Sequence, residues 1–122
     1  MRYQTSLESC KLNYPFDYWF SLYQKGMGKY SEENCKRVRK IFDDLILCLQ
    51  EVGENASEET KLFTFETAVE SLNRIREERP YLIETNERED FCELIDEIGI
   101  AAGLYVDSYA DGQGIASLWR TW

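Results

Sequence analysis

Between Pro15 and Gly26 the apolar residues Phe16, Trp19, Phe20 and Tyr23 fall at i, i+3, i+4 and i+7, the spacing of one face of an α-helix. Pro15 suits the first turn and Gly26 and Gly28 end it. Tyr14 and Tyr18 fall off this stripe, as a second packing face or as exposed rings. Next, Ser31 caps a longer segment in which Cys35, Val38, Ile41, Phe42, Leu45, Cys48, Leu49 and Val52 keep one stripe until Gly53. Ser57 opens a third segment, with Leu62, Phe65, Val69, Leu72 and Ile75 on one face and Pro80 marking its end.

A fourth helix starts at a Thr85 or Asn86 cap. Placing its residues 100° apart puts Phe91, Leu94, Ile95, Ile98, Ala102 and Tyr105 on one side. Glu89, Glu93, Asp96 and Glu97 gather within about 60° of the opposite pole. Gly99 and Gly103 each lower helix stability by about 1 kcal/mol relative to Ala, so something must offset them. Either a neighbouring helix approaches closely along the Gly99/Gly103 edge, or Gly103 ends the helix. In the tail, Ile115, Leu118, Trp119 and Trp122 fit helical spacing after a DGQG turn, with a short β-hairpin as the alternative. The pattern predicts an all-α chain, a single-domain helical bundle of about four to five helices over residues 1–122.

A chain of 122 residues can bury a core without staples, and 43% hydrophobic against 30% charged residues is a globular balance. No repeat or linker divides it. No apolar run approaches the roughly 18 residues of a membrane span, and the opening MRYQTSLESCKLNYPF lacks the apolar region of an export signal, which predicts a cytoplasmic protein without a membrane partner. Cys10, Cys35, Cys48 and Cys92 form no C-x-x-C pair, and the expectation is four reduced thiols behaving as small hydrophobes.

The net charge of -9 is unevenly spread. Residues 1–61 carry nine Lys and Arg against ten Asp and Glu, whereas residues 62–122 carry five against thirteen. The stretch ETNEREDFCELIDEIG, residues 84–99, holds seven carboxylates and one cation, Arg88. Acid in the first turn of a helix gains about 0.3–1 kcal/mol per group from the macrodipole, but the later carboxylates have no such reason. A field of this sign repels nucleic acid and anionic lipid and attracts a basic protein.

Candidate chemistry is thin. There is no histidine, so the commonest general base and zinc ligand are missing, and neither G-x-x-x-x-G-K-[ST] nor G-x-G-x-x-G occurs. DSYADGQGIASL, residues 107–118, fails as a calcium loop because Tyr109 takes a ligand position and Leu118 stands where the bidentate Glu belongs. The run KRVRK, residues 36–40, reads as a phosphate patch or as a solvated helix face balanced by Asp43, Asp44 or the acidic helix; the second is the stronger reading. No cofactor or metal is implied. Glu93 with Asp96 forms E-x-x-D, and Glu84 with Glu87 forms E-x-x-E. These tetrads resemble fragments of the magnesium-binding motif of all-α nucleoside triphosphate pyrophosphatases, which makes such a hydrolase the alternative function.

The acidic helix then reads as a solvated face or as a docking surface on which Glu89, Glu93, Asp96 and Glu97 steer a basic partner and Tyr105, Tyr109 and Trp119 anchor it. In size, acidity and aromatic content the chain resembles the immunity proteins of bacterial toxin systems. The resemblance implies a stoichiometric inhibitor that binds a cognate basic toxin or nuclease, and it transfers no individual residue role. A structural subunit that self-associates through the Gly99/Gly103 edge or the aromatic helix is the remaining alternative.

Overall fold

The structure, a computed structural model, describes residues 2–122. Five α-helices account for most of them: α1 (Arg2–Ser9), α2 (Phe16–Gln24), α3 (Glu32–Val52), α4 (Glu58–Glu78) and α5 (Thr85–Ala101). Short 3-10 turns follow α1 and α2, and three more, at Val106–Ser108, Ala110–Gly112 and Ile115–Leu118, make up the tail. The described residues contain no strand, so the all-α reading holds and the tail is a chain of 3-10 turns, not a hairpin.

The long helices begin and end where their sequences dictate. The Ser31 side chain accepts the Asn34 N–H at 3.2 Å to cap α3, and Gly53 ends it at φ 89°, a conformation open to glycine. Ser57 caps α4 through the Thr60 N–H at 3.1 Å, and α4 stops short of Pro80. At α5 the expected Thr85 or Asn86 cap is replaced by Glu84: its side chain accepts from the N–H of Glu87, whose carboxylate accepts the Glu84 N–H at 3.0 Å in a reciprocal box.

α1 has no counterpart in the sequence reading. Tyr3, Leu7 and Cys10 are buried at i, i+4 and i+7, and the Tyr3 hydroxyl donates to the Leu49 carbonyl at 2.8 Å, fixing α1 along α3. The core is continuous through all five helices and the tail. Its centre is aromatic: Phe42 lies 5.8 Å from Phe16 and 5.7 Å from Phe91, and Phe91 meets Trp19 at 5.7 Å and Trp122 at 5.6 Å, centroid to centroid. Tyr14 joins this cluster and donates to Asp43 at 2.8 Å, whereas Tyr18 is exposed.

Gly99 and Gly103 have separate reasons. A Cβ on Gly99 would collide with Ile115 Cδ1 and come within 2.9 Å of Val106 Cγ1, so the tail itself packs against this smooth position. Gly103 lies just past the helix end at φ 86°. The edge proposed for self-association is therefore filled at Gly99 by the chain's own tail. All four cysteines are free; Cys10 and Cys35 are buried as expected, while Cys48 is exposed on the shoulder of the α3 stripe. No helix among the described residues is long and apolar enough to cross a membrane.

Candidate functional site: the acidic groove of α5

The first carboxylates of the acidic stretch are committed to the fold. Glu87, 1% exposed, accepts from the Tyr30 hydroxyl, from Lys29 Nζ at 3.0 Å and from the Glu84 N–H at 3.0 Å, and Lys29 also bonds Glu84 at 2.7 Å. Burial alone would push the Glu87 carboxyl up, but these donors outweigh it and hold the group below its ordinary range. The tetrad Glu84/Glu87 is thus an N-terminal cap tied to Lys29. The described residues bring no three metal-ligating side chains together.

Beyond this first turn the negative charge is uncompensated. Glu89, Asp90, Glu93, Asp96 and Glu97 form no ion pair among the described residues. Arg88, the one cation of the stretch, does not reach them, and its buried Nε has no partner. The basic run on α3 behaves oppositely. Lys36 pairs with Glu32, Arg37 with Glu78, Arg39 with Asp17 and Lys40 with Asp44, at 2.8–2.9 Å, so KRVRK is a neutralised surface.

Glu93, Asp96 and Glu97 line a groove between α5 and the turn that follows α1, together with Asn13, Pro15, Asp90 and Ile100. Asn13 donates to Glu97 and fixes that wall. Burial, reinforced by the neighbouring charges of Glu87, Glu93 and Glu89, pushes the Asp90 carboxyl up despite a 3.3 Å hydrogen bond from Trp19 Nε1. A cation placed in the groove would relieve that repulsion.

The seven residues singled out from sequence do not all belong to this groove. Glu89 and Glu93 are exposed on the acidic face as expected, and Glu97 is half-buried against Asn13. Asp96 also lines the groove, but it is half-buried where the helical spacing predicts a solvent-facing position: it reaches under the tail to accept the Ile115 N–H at 3.0 Å, and burial raises its carboxyl. Of the aromatics, Tyr105 lies outside α5 and is 72% exposed, so it is not part of the helix's apolar side and its ring is open to solvent. The Tyr109 hydroxyl donates to Glu58 on α4, and burial followed by that carboxylate pushes it up to about 12. Trp119 is half-buried against the core, with its carbonyl bonded to Asn73 Nδ2 at 3.1 Å. None of the three lines the groove.

The exposed apolar group that lines the groove is instead Ile100, 64% exposed; Leu12, 86% exposed, precedes Asn13 of the opposite wall in the chain. Ile100 was legible: at 100° per residue it falls about 180° from Phe91, in the middle of the acidic arc. Leu12 carried no such signal, because it sits on a turn. No protein-family profile matches this chain, and neither a curated protein nor a solved structure shows significant similarity to it.

Proposed function

We propose that this protein is a stoichiometric protein-binding inhibitor of the immunity type, neutralising a basic toxin or nuclease through the α5 groove. One observation carries the reading: among the described residues Glu89, Asp90, Glu93 and Glu97 of α5 have no counter-charge, whereas every cation of KRVRK has one. A chain that neutralises one charged surface and leaves another bare maintains a field there at a cost in stability. Glu89, Glu93 and Glu97 steer the partner, and Ile100 with Leu12 supplies the apolar contact that rim charges do not. The setting is cytoplasmic, where free thiols persist.

The test is affinity capture at low and high salt, with the wild-type chain and Glu93→Lys/Glu97→Lys as parallel baits and identification of what elutes. A basic protein should be held by the wild type at low salt, released as salt rises, and associate about tenfold or more slowly with the charge-reversed chain. Equal capture by both baits sinks the proposal.

A further inference from the structure

A second surface lies between α3 and α4 and shares no lining residue with the α5 groove. It is an open trough of about 410 Å³ whose floor is Ile41, Leu45, Val52 and Ala68. Phe63 stands at its edge with 68% of its surface in solvent. The α4 side is stepped by Thr60, Thr64, Thr67 and Ser71, short side chains that let another backbone approach closely. From residue 41 to residue 52 the trough runs about 16 Å, three helical turns.

The strip of α4 beyond Phe63 is acidic. Exposed Glu59 and Glu70 and half-buried Glu66 share the Phe63 side of the helix, next to the trough lining, and none of them forms an ion pair among the described residues. Asp44 is answered by Lys40 at 2.9 Å, and Arg74, at the far end, bonds only the neutral Ser71 hydroxyl at 3.0 Å. An apolar floor three turns long beside a bare carboxylate row complements an amphipathic helix with apolar side chains at i, i+4 and i+7 and Lys or Arg along one edge. A second copy of this chain fits poorly, because each copy carries -9 and would set carboxylate row against carboxylate row.

We infer that the α3/α4 trough is a docking site for a basic amphipathic helix of a partner protein, anchored on Phe63 and oriented by Glu59, Glu66 and Glu70. This inference does not depend on the α5 reading.

The test titrates the full ¹⁵N-labelled chain with an 18-residue Leu/Lys peptide whose leucines repeat at i, i+3, i+4 and i+7, and with a Leu/Glu peptide of the same pattern. Saturable shifts centred on Cys48, Phe63, Thr64 and Thr67 are expected from the Leu/Lys peptide, with the Leu/Glu peptide at least about tenfold weaker. Phe63→Ser, at an exposed position where circular dichroism should show the helix unchanged, should weaken the Leu/Lys peptide roughly tenfold. Glu66→Lys/Glu70→Lys should weaken it and flatten its salt dependence, while Glu93→Lys/Glu97→Lys should leave these shifts in place. Shifts centred on α5, equal binding of the two peptides, or indifference to Phe63→Ser would each overturn the assignment. So would a dimer in sedimentation that Phe63→Ser dissolves, since the trough would then belong to a second copy.

Discussion

The carboxylate of Asp96 on α5 accepts the backbone N–H of Ile115 at 3.0 Å, and Gly114, at φ 100°, lies so close beneath it that a Cβ there would come within 2.8 Å of Asp96 Oδ1. This joint seats the tail: Ile115 is fully buried, and Trp122 at its end is packed against Phe91. Removing the acceptor in Asp96→Ala leaves a buried N–H unpaired and is expected to cost about 1–3 kcal/mol. Gly114→Ala should cost a similar amount through steric conflict at a positive φ. Urea unfolding of the two variants checks both values.

Gly99 opposes two effects of similar size. Alanine gains about 1 kcal/mol of helix propensity, whereas the new methyl meets Ile115 and Val106 in a filled core, where overpacking costs about 1–3 kcal/mol. Gly99→Ala is therefore expected to be destabilised modestly and Gly99→Val strongly. In both, loosening of the tail should appear as faster hydrogen exchange at the Ile115 amide.

Two carboxylates with opposite shifts give opposite pH dependences. The folded pKa of Glu87 lies below its unfolded value near 4.5, so its contribution is fully present above that pH and lost as pH falls through the lowered value. Asp90 is raised above 3.8; its contribution is full below that pH and is lost as pH rises through the raised value. Glu87→Gln should thus be less stable than wild type at pH 7, by about 1–3 kcal/mol, with the gap closing in acid. Asp90→Asn should be more stable at pH 7, with its advantage vanishing in acid. Denaturant midpoints between about pH 3 and pH 7 read both curves.

Neutralising the α5 face should stabilise the fold. Glu93 lies four residues from both Glu89 and Glu97 and three from Asp90 and Asp96. Each like-charge pair at such spacing costs about 0.2–0.5 kcal/mol in a helix. Glu93→Gln is expected to raise the melting temperature, and the gain should shrink as salt is added. A loss of stability would show that the acid serves the fold.

Lys61 is buried in the first turn of α4, where a cation opposes the helix dipole, yet its Nζ donates to the carbonyls of Glu54 and Ala102 at 2.8 Å and lies 5.2 Å from the centre of the Tyr3 ring. It thereby completes the C-terminal end of α5. Lys61→Met keeps the stem but leaves the Ala102 carbonyl without this donor, and a loss of about 1–3 kcal/mol is expected by thermal unfolding.

By itself the sequence determined what local spacing and local chemistry control. The stripes of α2 to α5, the caps at Ser31 and Ser57, the stops at Gly53 and Pro80 and the acidic arc of α5 all involve residues within one or two helical turns of each other, so periodicity exposes them. Tertiary structure decided whatever depends on a neighbour distant in the chain. α1 offers only Tyr3 and Leu7, with Cys10 just beyond it, and becomes a stable element against α3; Asp96 is half-covered because Ile115 arrives from the tail; KRVRK is silenced in part by Asp17 and Glu78. Which carboxylates stay bare was settled by those long-range pairings, because the attraction that neutralises a charge reads distance in space and not separation along the chain.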